Sequence, residues 1–195
     1  MQRGLPLVLS VAVVWAAAGL AAAQESVPSG PQKGEMLPGS FHPYNATGEH
    51  RDRPHCLVCE YGLSPVVAVF TRDVPAPDRP VAKLLQALDE AVEKNKALGL
   101  RAFAVVLTDA ADNVDARKAA AQRLRDFAEA AKLRNVVLSL DTAAGPKDYK
   151  LSPDAEVTVL VYSRHKVEAN FAYRKGAFNE EDTKAILAAA LPKKG

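Results

Sequence analysis

Pro65-Val-Val-Ala-Val-Phe-Thr71 is a continuous apolar run of strand length, rich in β-branched residues, with Gly62 and Ser64 just ahead of it. A strand that is apolar on both faces is buried on both, so it belongs in the middle of an α/β sheet. The next segment has helical spacing. Asp78 can cap a helix with Pro80 in its first turn, and Val81, Leu84, Leu85, Leu88 and Val92 recur on one side up to a stop at Gly99. Arg101 to Thr108 is a second buried strand, and Asp112 or Asn113 opens a second helix facing inward through Val114, Ala121, Leu124, Ala128 and Ala131. Asn135 to Leu140 is a third strand. After a loop from Asp141 to Pro153, Glu156 to Tyr162 and Val167 to Tyr173 flank the turn Ser163 to Lys166 as a hairpin. Asn179, followed by Glu180, Glu181 and Asp182, starts a last helix that buries Ile186, Leu187, Ala190 and Leu191 before Pro192.

The order is therefore β-α-β-α-β-β-β-α. Alternating units require parallel strands joined by right-handed crossovers and a hairpin must be antiparallel, so the fold class is α/β, a mixed five-stranded sheet flanked by helices on both faces. This domain is expected over 65–195.

Ahead of it, three segments differ in composition. Arg3 precedes an apolar run from Leu5 to Ala22 that ends in Ala21-Ala22-Ala23, so 1–23 reads as a secretory signal peptide, and the mature chain is expected to be exported, periplasmic or secreted, with no membrane segment left. Residues 24–40, with Pro28, Gly30, Pro31, Gly34, Pro38 and Gly39, read as a flexible linker. Residues 41–64 are irregular and hold His42, His50, His55, Cys56 and Cys59. The 25 Lys and Arg against 23 Asp and Glu are mixed along the chain, which provides no basic face for nucleic acid.

The element order, with Gly62-Leu-Ser-Pro-Val-Val-Ala-Val-Phe70, Asn135-Val-Val-Leu-Ser-Leu-Asp141 and Glu156-Val-Thr-Val-Leu-Val-Tyr-Ser-Arg-His-Lys-Val167, resembles the thioredoxin-like superfamily in its peroxiredoxin and extracytoplasmic thiol-disulfide oxidoreductase branch. The resemblance implies a reactive cysteine just after the first core strand and a cis-proline ahead of the fourth. Here the first place is Thr71-Arg-Asp-Val-Pro-Ala-Pro77, without cysteine, and the second is Glu156 or Val157.

The cysteines stand instead before the strand, as Cys56-Leu-Val-Cys59. The spacing is that of a redox dithiol, and in an oxidising compartment the pair is the candidate catalytic site, exchanging disulfides with a protein or small-molecule thiol. Arg53 and His55 favour thiolate and Glu60 opposes it, so Cys56, nearer Arg53 and His55, is the expected attacking sulfur. Two other readings stay open. The pair could be a structural disulfide in a non-catalytic binding module, a staple worth only about 2 kcal/mol for so short a loop. It could also bind copper or zinc as a carrier through Cys56, Cys59 and His55, with His50 and His42 as further ligands. Glu60 after Cys59 excludes the usual c-type haem attachment, and no cofactor motif emerges. His165 reads as a solvent-exposed turn residue, Asp109 and Asp112 as turn and cap residues, Asp89 to Lys96 as a solvated helix face, and Asn45-Ala-Thr47 as a glycosylation sequon.

Overall fold

The computed structural model describes residues 27–191. The expected signal peptide, 1–23, lies outside the described residues, as do 24–26 of the expected linker. The sheet has six strands in the order β1-β4-β3-β2-β5-β6. At its centre β2, Val66–Thr71, is buried at every position. It pairs in parallel with β3, Arg101–Leu107, and antiparallel with β5, Ala155–Ser163. Outside these lie β4, Val136–Asp141, parallel to β3, and β6, Lys166–Arg174, antiparallel to β5. The sequence pattern predicts five strands. The sixth is β1, Tyr44–Asn45, antiparallel to β4, and two residues are too short to show an alternation.

The three long helices, α2 (Pro80–Lys94), α3 (Val114–Ala130) and α4 (Glu180–Ala190), share one face of the sheet. The two crossovers from β2 to β3 and from β3 to β4 step in the same direction, so a common handedness puts α2 and α3 on the same side. There Leu84, Leu85, Leu88, Leu124 and Ile186 pack on Val67, Val69, Ala104 and Val159. On the opposite face the helical cover is slight: α1, Leu57–Tyr61, and a 3-10 turn, Lys147–Tyr149. Leu37, Phe41, Leu57, Val58, Tyr149 and Leu151 close that face over Phe70, Phe103 and Tyr162.

Helix starts follow local chemistry. Asn113 accepts the N–H groups of Asp115 and Ala116, both at 3.0 Å, and Asn179 with Asp182 forms a capping box on α4. Arg79, rather than the expected Asp78, holds the cap position of α2 and makes no side-chain bond there, since a guanidinium has no acceptor for the N–H groups of the first turn. Val114, expected inward, is the first residue of α3 and is 53% exposed.

The described part of the expected linker, 27–40, is a strap bonded to the hairpin. Gly34 N–H donates to Val167 O at 2.8 Å, Val167 N–H to Glu35 O at 2.9 Å and Leu37 N–H to His165 O at 2.7 Å. Farther along, the Asn170 carboxamide reaches Ser29 O and Pro31 O, each at 2.8 Å. Proline and glycine here serve an irregular extended path whose buried anchors are Val27, Ser29 and Leu37. Asn45 is also buried, with its Oδ1 accepting from Ser139 at 2.8 Å, so the folded chain has no room for a glycan at the sequon.

Candidate functional site

The cysteine pair lies at the N-terminal end of β2, on the strap-covered face. Cys56 and Cys59 are joined as a disulfide with Cα atoms 5.3 Å apart. Cys56 caps α1: its Sγ accepts the Cys59 N–H at 3.1 Å, and the residue is only 5% exposed. Cys59 is exposed. The two cysteines of one bond thus differ in exposure, and Cys59, rather than the expected Cys56, is the one open to a partner.

Cys59 lines a pocket of about 230 Å³ with Met36, Leu37, Gly39, Ser40, Val58 and His165. His165 departs from its expected place in solvent. It is half-buried, in the left-handed region at φ 61°, and its Nε2 is buried without a hydrogen-bond partner. The hairpin brings it to Cys59 across more than a hundred residues, so no local signal could have announced it. Met36, 59% exposed, leaves apolar surface at the pocket. At the end of α1, Tyr61 is held well above the usual phenol range by burial and then by the charge of Glu60.

Two of the histidines gather beside the disulfide, and His42, exposed, does not join them. His55 Nε2 lies 2.7 Å from Glu60 Oε2, His50 Nε2 lies 3.7 Å from the same oxygen, and the two rings stack with centroids 3.7 Å apart. Arg53 donates to His50 Nδ1. The dithiol metal reading fails in this state because both sulfurs are consumed by the disulfide, leaving His55 without Cys56 or Cys59 as co-ligands. Asp109 and Asp112 are exposed in a 3-10 turn; both are turn residues, and the cap expected of Asp112 falls to Asn113.

No protein-family model and no curated protein matches the sequence. Solved structures do match. A Chlorobium tepidum protein described as thiol:disulfide interchange protein DsbE is 20% identical, with a TM-score of 0.53, covering 85% of this chain and 100% of that one. Peroxidoxin BcpB from Mycobacterium tuberculosis is 17% identical, with a TM-score of 0.58 over 82% of this chain and 96% of its own. A Bacteroides thetaiotaomicron protein described as a protein disulfide isomerase is 15% identical, with a TM-score of 0.57 over 83% and 91%. The fold is thioredoxin-like.

In this thioredoxin-like chain the end of β2, where the resemblance implies a reactive cysteine, is a clamp. Thr71 lies opposite Val157, and Arg72 N–H donates to Glu156 O at 2.8 Å, so the two implied positions do meet. The Arg72 guanidinium donates to three carbonyls, Ala155 at 3.1 Å, Ser152 at 3.3 Å and Ala143, tying the loop after β4 to the start of β5. None of the described peptide bonds is cis. Six strand residues at roughly 3.3 Å each put this clamp about 20 Å from the disulfide end. An Arg72→Met variant is expected to lose about 2–3 kcal/mol, since half-buried carbonyls lose a charged donor, and to keep the chemistry of Cys56 and Cys59. Urea unfolding followed by circular dichroism, with a thiol assay on the same samples, checks both.

Proposed function

We propose that this is an exported thioredoxin-like protein that exchanges thiols and disulfides with a protein or small-molecule partner through Cys56 and Cys59. The observation that carries the reading is the asymmetry of the pair: an exposed cysteine at a pocket, bonded to a buried cysteine whose sulfur already accepts an N–H. The fold it shares with the exchange proteins named above supports it. Export through 1–23 belongs to the same reading, and among the described residues no helix is long and apolar enough to cross a membrane.

In the oxidising direction a partner thiolate attacks Cys59 Sγ. The Cys56–Cys59 bond breaks and its electron pair leaves on Cys56 Sγ, where the Cys59 N–H stabilises the developing charge. A second partner thiolate then attacks the partner sulfur of the mixed disulfide, forming the partner's disulfide and releasing Cys59. The partner loses two electrons, the protein gains them, and the protons of the partner thiols end on the two cysteines. His165, in the Cys59 pocket with an unpartnered Nε2, is the side chain placed to relay one of them.

The test is the reduction potential of the pair, measured against glutathione or dithiothreitol buffers. A reversible couple between about −120 and −270 mV is expected, the span of known exchange proteins. A value below about −300 mV, where structural bridges lie, would make the pair a staple and the domain a binding module.

A further inference from the structure

We propose that His50, His55 and Glu60 form a binding site for a divalent transition-metal ion of the zinc class. The ligand atoms of the three residues all lie within 4.8 Å of one another, the one such group among the described residues. Both imidazole Nε2 atoms address a single carboxylate oxygen, at 2.7 and 3.7 Å. Tetrahedral ligands held at roughly 2.0–2.1 Å from zinc stand about 3.3 Å apart. One observed spacing is shorter and the other longer, so loading needs shifts of well under an ångström along these two edges. Two imidazoles with one carboxylate suit zinc and its neighbours rather than calcium or magnesium, which take oxygen, and such a triad leaves one coordination position open.

The backbone prepares the cluster. Asn45 N–H donates to Arg53 O at 3.1 Å and Asp52 N–H to Asn45 O at 2.8 Å, which folds the segment 46–52 back so that His50 stands over His55. Arg125 of α3 fixes that loop through Asp52 Oδ1 at 2.8 Å. His55 N–H is held by Pro43 O at 3.1 Å and Glu60 N–H by Cys56 O at 3.0 Å, with the disulfide locking the turn between these two ligands. The side chains are 21%, 27% and 37% exposed, open to an ion yet partly shielded from water.

Arg53 opposes loading. Its hydrogen bond to His50 Nδ1 keeps the ring proton on Nε2, the ligand atom, so metal binding moves that proton to Nδ1 and turns the exposed arginine side chain outward. The site uses no thiolate and does not rest on the exchange reading.

The experiment titrates zinc into the untagged, oxidised protein against a chromophoric chelator, with the disulfide confirmed by the absence of free thiol. One equivalent is expected to bind, His50→Ala and Glu60→Gln are each expected to weaken it at least about tenfold, and Arg53→Met to tighten it about two- to fivefold. The chain's four histidines supply an internal control that needs no variant: zinc should shift the imidazole NMR signals of His50 and His55 and leave those of His42 and His165 in place. Absence of stoichiometric binding, unchanged affinity in folded His50→Ala and Glu60→Gln, or shifts confined to His42 and His165 would each overturn the site; unchanged affinity in Arg53→Met would overturn the part assigned to Arg53.

Discussion

A Cys56→Ser variant incubated with glutathione disulfide is expected to accumulate a stable mixed disulfide on Cys59, while the Cys59→Ser variant stays unmodified over the same time. Attack requires a thiolate that can approach the disulfide in line, and only Cys59 is open to solvent, whereas Cys56 is 5% exposed and held by the Cys59 N–H. Without Cys56 no second sulfur resolves the adduct, so it persists. Access alone makes a difference in labelling rate of at least about a hundredfold reasonable, since a buried thiol reacts only when α1 opens, and an opening cost of about 3 kcal/mol corresponds to that factor. Mass spectrometry of the two variants gives the answer. Equal labelling of both would mean that α1 opens freely and that the unequal burial of the sulfurs does not govern the chemistry.

Asp89→Ala is expected to be the most destabilising single change outside the apolar core. Asp89 lies on α2 in a row of charged residues that reads as solvated, yet it is only 9% exposed. Its Oδ1 accepts three successive backbone N–H groups, Arg134 at 2.8 Å, Asn135 at 2.7 Å and Val136 at 2.9 Å, and its Oδ2 accepts from the Asn135 carboxamide at 3.1 Å. One carboxylate therefore sets the angle at which the chain enters β4. Alanine leaves those donors without acceptors at about 1–3 kcal/mol each, discounted for the two that water can reach, for a total of about 3–5 kcal/mol. Against a stability of roughly 5–15 kcal/mol for such a domain, that lowers the melting temperature by about 10 °C or more. Asp89→Asn keeps one acceptor oxygen and should lose about half as much. Thermal unfolding by circular dichroism tests the series, and a loss under about 1 kcal/mol for Asp89→Ala would show that β4 is seated by its packing alone.

The central strands are legible in the sequence because β2, β3, β4 and β5 are almost continuously apolar, and a run such as Val66 to Phe70 admits no solvent face. The hairpin and the last helix announce themselves through turn and cap residues. The features that escape depend on contacts between distant parts of the chain. Asp89 is charged, and its helical row gives no hint that α2 meets the start of β4 there. Glu60 looks like a charge opposing a thiolate, and only the fold-back of 46–52 makes it the common partner of His50 and His55. The strap escapes for a different reason: its proline and glycine content matches that of flexible tethers, and composition does not record that Val27, Ser29 and Leu37 find buried seats. Cys56 and Cys59 are legible as a pair, but which sulfur faces solvent is set by the turn of α1.

The strap also bears on how the molecule behaves in a crowd. Beyond β6 an open ladder of amides would invite a neighbouring copy to add its own strand, the first step of fibrous self-association. Residues 34–37 take the first rungs of that ladder, and the strap on either side of them carries Pro28, Pro31 and Pro38, which have no amide hydrogen to offer. The start of β6 is thus covered by a segment that offers a neighbouring copy few donors, and a proteolytic cut that freed the strap would turn a self-limiting edge into a sticky one.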